Sequence, residues 1–416
     1  MGNPFDSSEP WSTLAQLNVG LNFKPMRTFC GVSEGELVWA VTALKAKKKK
    51  LSKKLILMLF CVLIYITMQS KDKLGNLKTA ILTAIPLIFL FGGCQSRQDA
   101  PLLPKKSLYK EIKRYGDKDN RISIAELDSL RQEFPRFFNI WFQEVMRFPV
   151  IALPTDSAKA EVMSLHYRKN KMIYPLLAAH YAKYPRLHQD ISNAFTRLHD
   201  LMPALQKPVV YSYISEFSNT STLVDSSSGN TVVAYSPECF LNDTFSLYKV
   251  LNDYPSFMNR FNGTKLIPST LILNYLKSTF DSSVTNTSMI DEVFLSGKLW
   301  YTLEQVMGED EIYEHFGYSK ADWTFLRNNE GQVWHHYIIS KILFSSNFKD
   351  YVRYFNYGNK TFGSGIHEDC PPRVGFYSGY RMVKALMEKN KYSLNQLWQM
   401  NSGSLALKQS GYAPRR

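Results

Sequence analysis

Residues 108–416 predict a mostly helical α+β fold, a single domain with a small sheet that contains antiparallel strands. Three observations carry that expectation. Apolar residues recur at helical spacing in several segments, strand-like runs rich in Val, Tyr and Ile occur in two, and no linker long enough to separate two domains interrupts the stretch.

In chain order, the segment from Tyr115 to Glu126 imitates a calcium-binding loop. It supplies Asp117, Asp119 and Glu126, but Tyr115 stands where the first carboxylate belongs and Asn120 where the turn glycine belongs. A solvated strand-to-helix turn is therefore expected. Ile191, Phe195, Leu198 and Met202 are spaced by four, three and four, which puts them on one helix face. Segments 208–217 and 231–240 read as strands, and the Ser-, Thr-, Asn- and Asp-rich stretch 218–230 reads as a polar loop joining them as an antiparallel pair. Ser319 and Asp322 open a long helical segment whose apolar positions run from Trp323 to Leu343. Ser393 with Gln396 forms a capping box before Leu397 and Trp398.

A chain of 416 residues that is 45% hydrophobic and 14% aromatic can fill a packed core, which excludes low-complexity and collagenous classes. Residues 1–93 carry half of the formal net charge of +14. The mild basic surplus left for 94–416 argues against nucleic acid as a partner, since such binders concentrate Lys and Arg on one face or in a recognisable module.

The leader holds two apolar runs, 55–68 and 79–91, each preceded by lysines. Both are shorter than the roughly 20 residues of a membrane-spanning helix and match the core of a signal peptide. The second ends in Leu90-Phe91-Gly92-Gly93-Cys94, which resembles the lipobox of bacterial lipoprotein precursors, with Phe91 where such boxes usually carry Leu. Cys94 is thus the expected lipidation site, residues 68–93 the signal peptide and 94–107 a tether with Pro101 and Pro104. If both runs crossed the membrane, Cys94 would return to the cytoplasm, where it could not be processed. Translation from Met68 resolves the conflict and makes residues 1–67 an over-extended or disordered N-terminus; an extension with its own anchor is the alternative. Gln95 to Asp99 lacks an acidic export cluster, so a lipid-anchored, periplasm-facing envelope protein is expected. With Cys94 acylated, Cys239 and Cys370 are expected as free buried thiols rather than a disulfide.

No motif for covalent, nucleotide or zinc chemistry is present. There is no G-x-S-x-G, P-loop or G-x-G-x-x-G, and no H-E-x-x-H pair of histidines on one helical face. His367-Glu368 runs into Asp369-Cys370-Pro371-Pro372, which cannot be an interior helix turn. His335 and His336 are adjacent, so they point about 100° apart on a helix. His188 and His199 lack ligand spacing. The many aromatic residues are expected in the core. No catalytic residue, metal or cofactor is expected from these patterns.

Several short blocks are recognisable. Ile112-Lys113-Arg114-Tyr115, Phe134 to Phe138, Met289 to Glu292 with Gly297-Lys298-Leu299, Asn329 to Trp334, Pro372 to Phe376 with Gly379 to Val383, and Ser410 to Pro414 together resemble the gliding-motility lipoprotein GldB family across residues 108–416. The resemblance implies a fold like that of zinc-dependent peptidases, zincin-like, with the metal helix near Ile267 to Tyr275. That stretch carries no His or Glu, and Lys298 stands where a further acidic ligand would be. The implied role is a non-catalytic envelope component needed for gliding, whose partners are the membrane, through the anchor, and other envelope proteins of the gliding machinery. Pro372 departs from the family, which usually has glycine before the arginine. For Arg373 two readings stand: an anion or partner contact, or a buried ion pair with Glu330. Two other functions compete, a metallohydrolase using Glu330, His335 and His367, and a ligand-binding lipoprotein with an aromatic cleft.

Overall fold

Alternation along two four-residue strands organises the fold. In the computed structural model, which describes residues 101–146, 155–217, 222–226, 231–242, 245, 248, 260–280, 288–310, 312–358, 360–361 and 365–415, strand β2 (Val209–Ser212) sends Val210 to one side and Tyr211 to the other. Strand β4 (Val232–Tyr235) does the same with Val233 and Tyr235 against Val232 and Ala234. The period of two thus builds two cores, one on each face.

The face that receives Tyr211, Val232 and Ala234 is covered by the first part of the chain. Strand β1 (Lys105–Ser107), at the end of the stretch read as a tether, leads into α1 (Leu108–Asp119), α2 (Ile124–Glu133), α3 (Phe137–Ile140), a wide turn at Trp141–Val145, α4 (Asp156–Asn170) and α5 (Ile173–Tyr181). Trp141 is fully buried and ties this layer to the sheet, its Nε1 donating to the Ile214 carbonyl at 2.9 Å. The other face is covered by α6 (Leu187–Leu201) and by helices that follow the sheet: α7 (Ile267–Phe280), α8 (Met289–Met307), α9 (Ile312–His315), α10 (Lys320–Asn328), α11 (Glu330–Ile339), α12 (Phe348–Tyr351), α13 (Val374–Asn390), α14 (Leu394–Gln399) and α15 (Gly403–Ser410). Ile191, Phe195, Leu198 and Met202 are all buried, as the four-three-four spacing requires.

The sheet is mixed. Its order is β1-β2-β4-β3, with β3 (Thr222–Asp225) antiparallel to β4 and the other two pairings parallel. The two strands expected as an antiparallel pair are therefore neighbours that run the same way, Val209 opposite Val232 and Ser212 opposite Tyr235. The reason is β3 itself. It lies inside the expected polar loop, so the chain reverses twice between β2 and β4, and β4 enters between the strands before it.

Two other expectations are corrected. The calcium-like segment joins helix to helix, not strand to helix: α1 runs through Tyr115 to Asp119, Asn120 turns at φ 61°, and Ser123 with Glu126 forms the capping box of α2. Glu126 also pairs with Lys118, and Asp117 pairs with Lys113 and accepts from Tyr167, so these carboxylates are engaged in helix ends and packing. The long helix from Ser319 is two, α10 and α11. Asn329 directs its side-chain amide back to the Phe325 carbonyl at 2.8 Å, the local competition with helical bonding that this residue type favours, and the chain restarts at Glu330. Past Ile339, Lys341 turns at φ 56°, so Ile342 and Leu343 reach the core from a turn. The capping boxes at Ser319 and Ser393 are formed.

Candidate functional site

Because α11 restarts at Glu330, that carboxylate stands in the first turn of a helix, where the dipole favours negative charge. Side chains from α13 and the C-terminal segment converge on it. Oε1 accepts from Arg381 Nε at 3.1 Å and Tyr412 Oη at 2.8 Å; Oε2 accepts from Arg381 Nε at 3.0 Å and Tyr377 Oη at 3.0 Å. Tyr377 and Arg381 are four residues apart on α13 and share its face. Burial first, then the charge of Glu330, pushes both tyrosine hydroxyls up, so they remain donors. The Trp334 ring meets Tyr412 edge-on at 4.9 Å. Above this hub an open pocket of about 470 Å3 is lined by Arg327, Arg381 and Arg415 beside Glu330 and Tyr412.

Three donors thus converge on Glu330: each oxygen accepts from one tyrosine hydroxyl, and the single Nε–H of Arg381 is shared between the two. The arrangement clamps the C-terminal segment onto α11 and α13 and leaves arginines at the pocket rim. Tyr377, Arg381 and Tyr412 were not singled out as partners of Glu330 from sequence. The i, i+4 spacing of Tyr377 and Arg381 was a usable signal; Tyr412 is brought in by tertiary folding alone.

Arg373 is placed elsewhere. It is fully buried at the start of α13 and is not paired with Glu330: Nη2 donates to the Phe316 carbonyl, and five aromatic rings surround the guanidinium. Pro372, where the family usually has glycine, is not in the left-handed region, and Arg373 itself takes that conformation at φ 57°. Tyr318 Oη holds that turn by donating to the carbonyls of Pro372 and Arg373 at 2.9 and 3.1 Å.

Glu330, His335 and His367 do not form a ligand set. Glu330 is engaged as above, His335 is half-buried on α11, and His367 is 52% exposed, with its ring against Phe325. Among the described residues no group of three or more His, Cys, Asp or Glu is placed to hold a metal ion. The adjacent His336 is buried and hydrogen-bonded through Nε2 to Tyr354 Oη at 2.8 Å. Cys239 and Cys370 are free buried thiols. Cys94 and the leader lie outside the described residues, and among the described residues no helix is long and apolar enough to cross a membrane.

At the ends of β2 and β4 a polar cluster is sealed in the core. Glu238 Oε1 accepts from the Ser215 amide at 2.6 Å and from Ser215 Oγ at 3.0 Å. Burial raises both the Glu238 carboxyl and the Cys239 thiol, which makes the cysteine a poor nucleophile. A pocket of about 600 Å3, lined by Lys183, Arg186, Arg197 and Lys265 among others, carries a single ring, Tyr184, and is not itself an aromatic cleft.

Lys298, on α8, is 2% exposed, with Nζ donating to the Met400 carbonyl at 3.0 Å and lying 4.9 and 5.0 Å from the Phe294 and Trp398 rings. Burial lowers its pKa to about 8. In the unfolded chain a lysine titrates at about 10.4, so between those values the unfolded state holds the extra proton and stability rises with pH. Urea unfolding from pH 7 to 10.5 is expected to show wild type gaining up to about 3 kcal/mol relative to Lys298→Met across that window. Parallel pH profiles would contradict the assignment.

Compared with known proteins, residues 101–414 match the family model described as gliding motility protein GldB. No curated protein and no solved structure matches the chain.

Proposed function

The chain belongs to the gliding motility protein GldB family, and from that premise we propose that it is a non-catalytic, lipid-anchored component of the cell envelope on which gliding depends. The observation that carries the non-catalytic reading is the engagement of Glu330 by three side chains of the protein itself. Blocks that mark the family, at 329–334, 379–383 and 410–414, meet around a carboxylate whose two oxygens are both engaged by the protein's own donors. Such a group, ion-paired to Arg381 and bonded to two tyrosine hydroxyls, holds helices together.

The peptidase-like reading points the same way. Helix α7 lies beside the antiparallel edge strand, with Asn274 Nδ2 donating to Thr222 Oγ1 at 2.6 Å. The segment Ile267 to Tyr275, where the zincin-like reading puts the metal helix, presents no His or Glu. The anchor reading rests on the lipobox at Cys94, and the membrane and other envelope proteins of the gliding machinery are the proposed partners.

The test is single-cell speed on glass in a deletion strain complemented with a gene begun at Met68, either wild type or Cys94→Ala, at matched protein levels. Wild type is expected to restore movement and Cys94→Ala to leave cells largely non-motile. Unchanged speed on deletion would remove the motility role, and full rescue by Cys94→Ala would remove the anchor.

A further inference from the structure

Three guanidinium groups from three separate elements line the pocket of about 470 Å3 above Glu330: Arg327 in the last turn of α10, Arg381 on α13 and Arg415 beyond α15. Arg381 spends only its Nε–H on Glu330, and its Nη1 and Nη2 groups make no hydrogen bond among the described residues. Arg327 and Arg415 are exposed and take part in no hydrogen bond or ion pair among the described residues. Two of the three charges converge on one phenol: burial first, then Glu330, raises the Tyr377 hydroxyl, and Arg381 and Arg327 both pull it back.

Glu330 is the one carboxylate in the lining, and it already accepts from Arg381, Tyr377 and Tyr412. Three arginines against one glutamate leave a formal excess of two positive charges on a concave wall. Such a wall raises the local concentration of anions, and guanidinium cannot relieve the repulsion by losing a proton. The residues between the arginines include Gly331, Ala385, Gly411 and Ala413, which are too small to fill the space themselves. Charge and shape together select the ligand. Guanidinium forks match the oxygens of carboxylate and phosphate alike, but a carboxylate brings one charge and two oxygens. A phosphate monoester brings about −1.5 to −2 charges at pH 7 and three acceptor oxygens, one for each arginine. The volume is that of a small-molecule site, with room for the organic part of the ester.

We infer that Arg327, Arg381 and Arg415 form a binding site for a phosphate monoester, with Arg381 presenting Nη1 and Nη2 and the other two arginines taking the remaining oxygens. A bound phosphate joins α10, α13 and the C-terminal segment at the place where Glu330 already clamps them. The site requires neither the lipid anchor nor the gliding role.

The experiment is isothermal titration of the full chain in non-ionic detergent, at constant ionic strength, with two monoesters: glycerol 3-phosphate and the short-chain lipid dihexanoyl phosphatidic acid. Acetate is the carboxylate control. Wild type is expected to bind at least one monoester saturably at a single site. Arg327→Gln and Arg415→Gln, changes at exposed side chains with no bond to lose, are each expected to weaken that binding at least about tenfold, as for a lost charged hydrogen bond. Lys349→Gln removes the same charge from an exposed position on α12 that does not line the pocket, and is expected to leave the affinity unchanged. Binding of glycerol 3-phosphate supports the site with a soluble ester as ligand, and binding of the lipid alone supports it with a headgroup as ligand. No saturable binding of either monoester, equal affinity for acetate, affinity unchanged in both arginine variants, or an equal loss in Lys349→Gln overturns it.

Discussion

Gly379→Ala is expected to destabilise the protein by about 2–4 kcal/mol, although alanine is the better helix former. Gly379 lies within α13 where it crosses α8, the most extensive helix pairing among the described residues. A Cβ there would sit 2.0 Å from the Val293 carbonyl oxygen and 2.9 Å from the Gly297 amide nitrogen. Both are backbone atoms of the facing helix, so neither can swing aside, and the gain of up to about 1 kcal/mol from helix propensity is outweighed by forcing two helices apart. The relation is reciprocal: a Cβ on Gly297 would meet the Gly379 carbonyl oxygen at 2.2 Å. Once one substitution has separated the helices, the second meets less resistance, so Gly297→Ala with Gly379→Ala is expected to cost less than the two singles added. Urea unfolding of the three variants checks this. A Gly379→Ala protein as stable as wild type would mean that the helices do not cross this closely.

Glu330→Ala is expected to cost about 2–4 kcal/mol and to release the C-terminal segment. The substitution leaves the Tyr377 and Tyr412 hydroxyls without their acceptor and Arg381 without its ion pair. Arg381 is 41% exposed, so its charge is re-solvated cheaply, and most of the loss comes from the two tyrosines. Glu330→Gln keeps the shape and one acceptor oxygen and is expected to lose about half as much. Hydrogen exchange supplies the sharper readout: amides of α15 and of residues near Tyr412 should exchange faster in Glu330→Ala, while those of α1 to α5, on the other face of the sheet, keep their protection. Unchanged protection near Tyr412 would show that the clamp holds nothing.

Much of the helical frame was legible in the sequence because local rules decide it. Capping boxes at Ser319 and Ser393 need only neighbours three residues away, and the face of α6 needs only periodicity. Where expectation and structure part, a non-local or short feature is responsible. Four residues of β3 inside a polar stretch were too few to show a pattern, yet they turned an expected antiparallel pair into a parallel one. Asn329 split one expected helix in two through a single side-chain bond, and that break is what places Glu330 at a helix start.

The sequence by itself determined the mostly helical α+β class, the family blocks and the lack of any motif for metal or covalent chemistry, since each depends on composition, period or spacing along the chain. Only the tertiary structure decided which partner each charge meets. Glu330 lies 51 residues from Arg381 and 82 from Tyr412, and Arg373 takes the Phe316 carbonyl 57 residues away in place of Glu330. Which of two arginines on the same helix reaches a carboxylate is set by how α11 and α13 dock, a matter of packing between faces that no run of residues spells out.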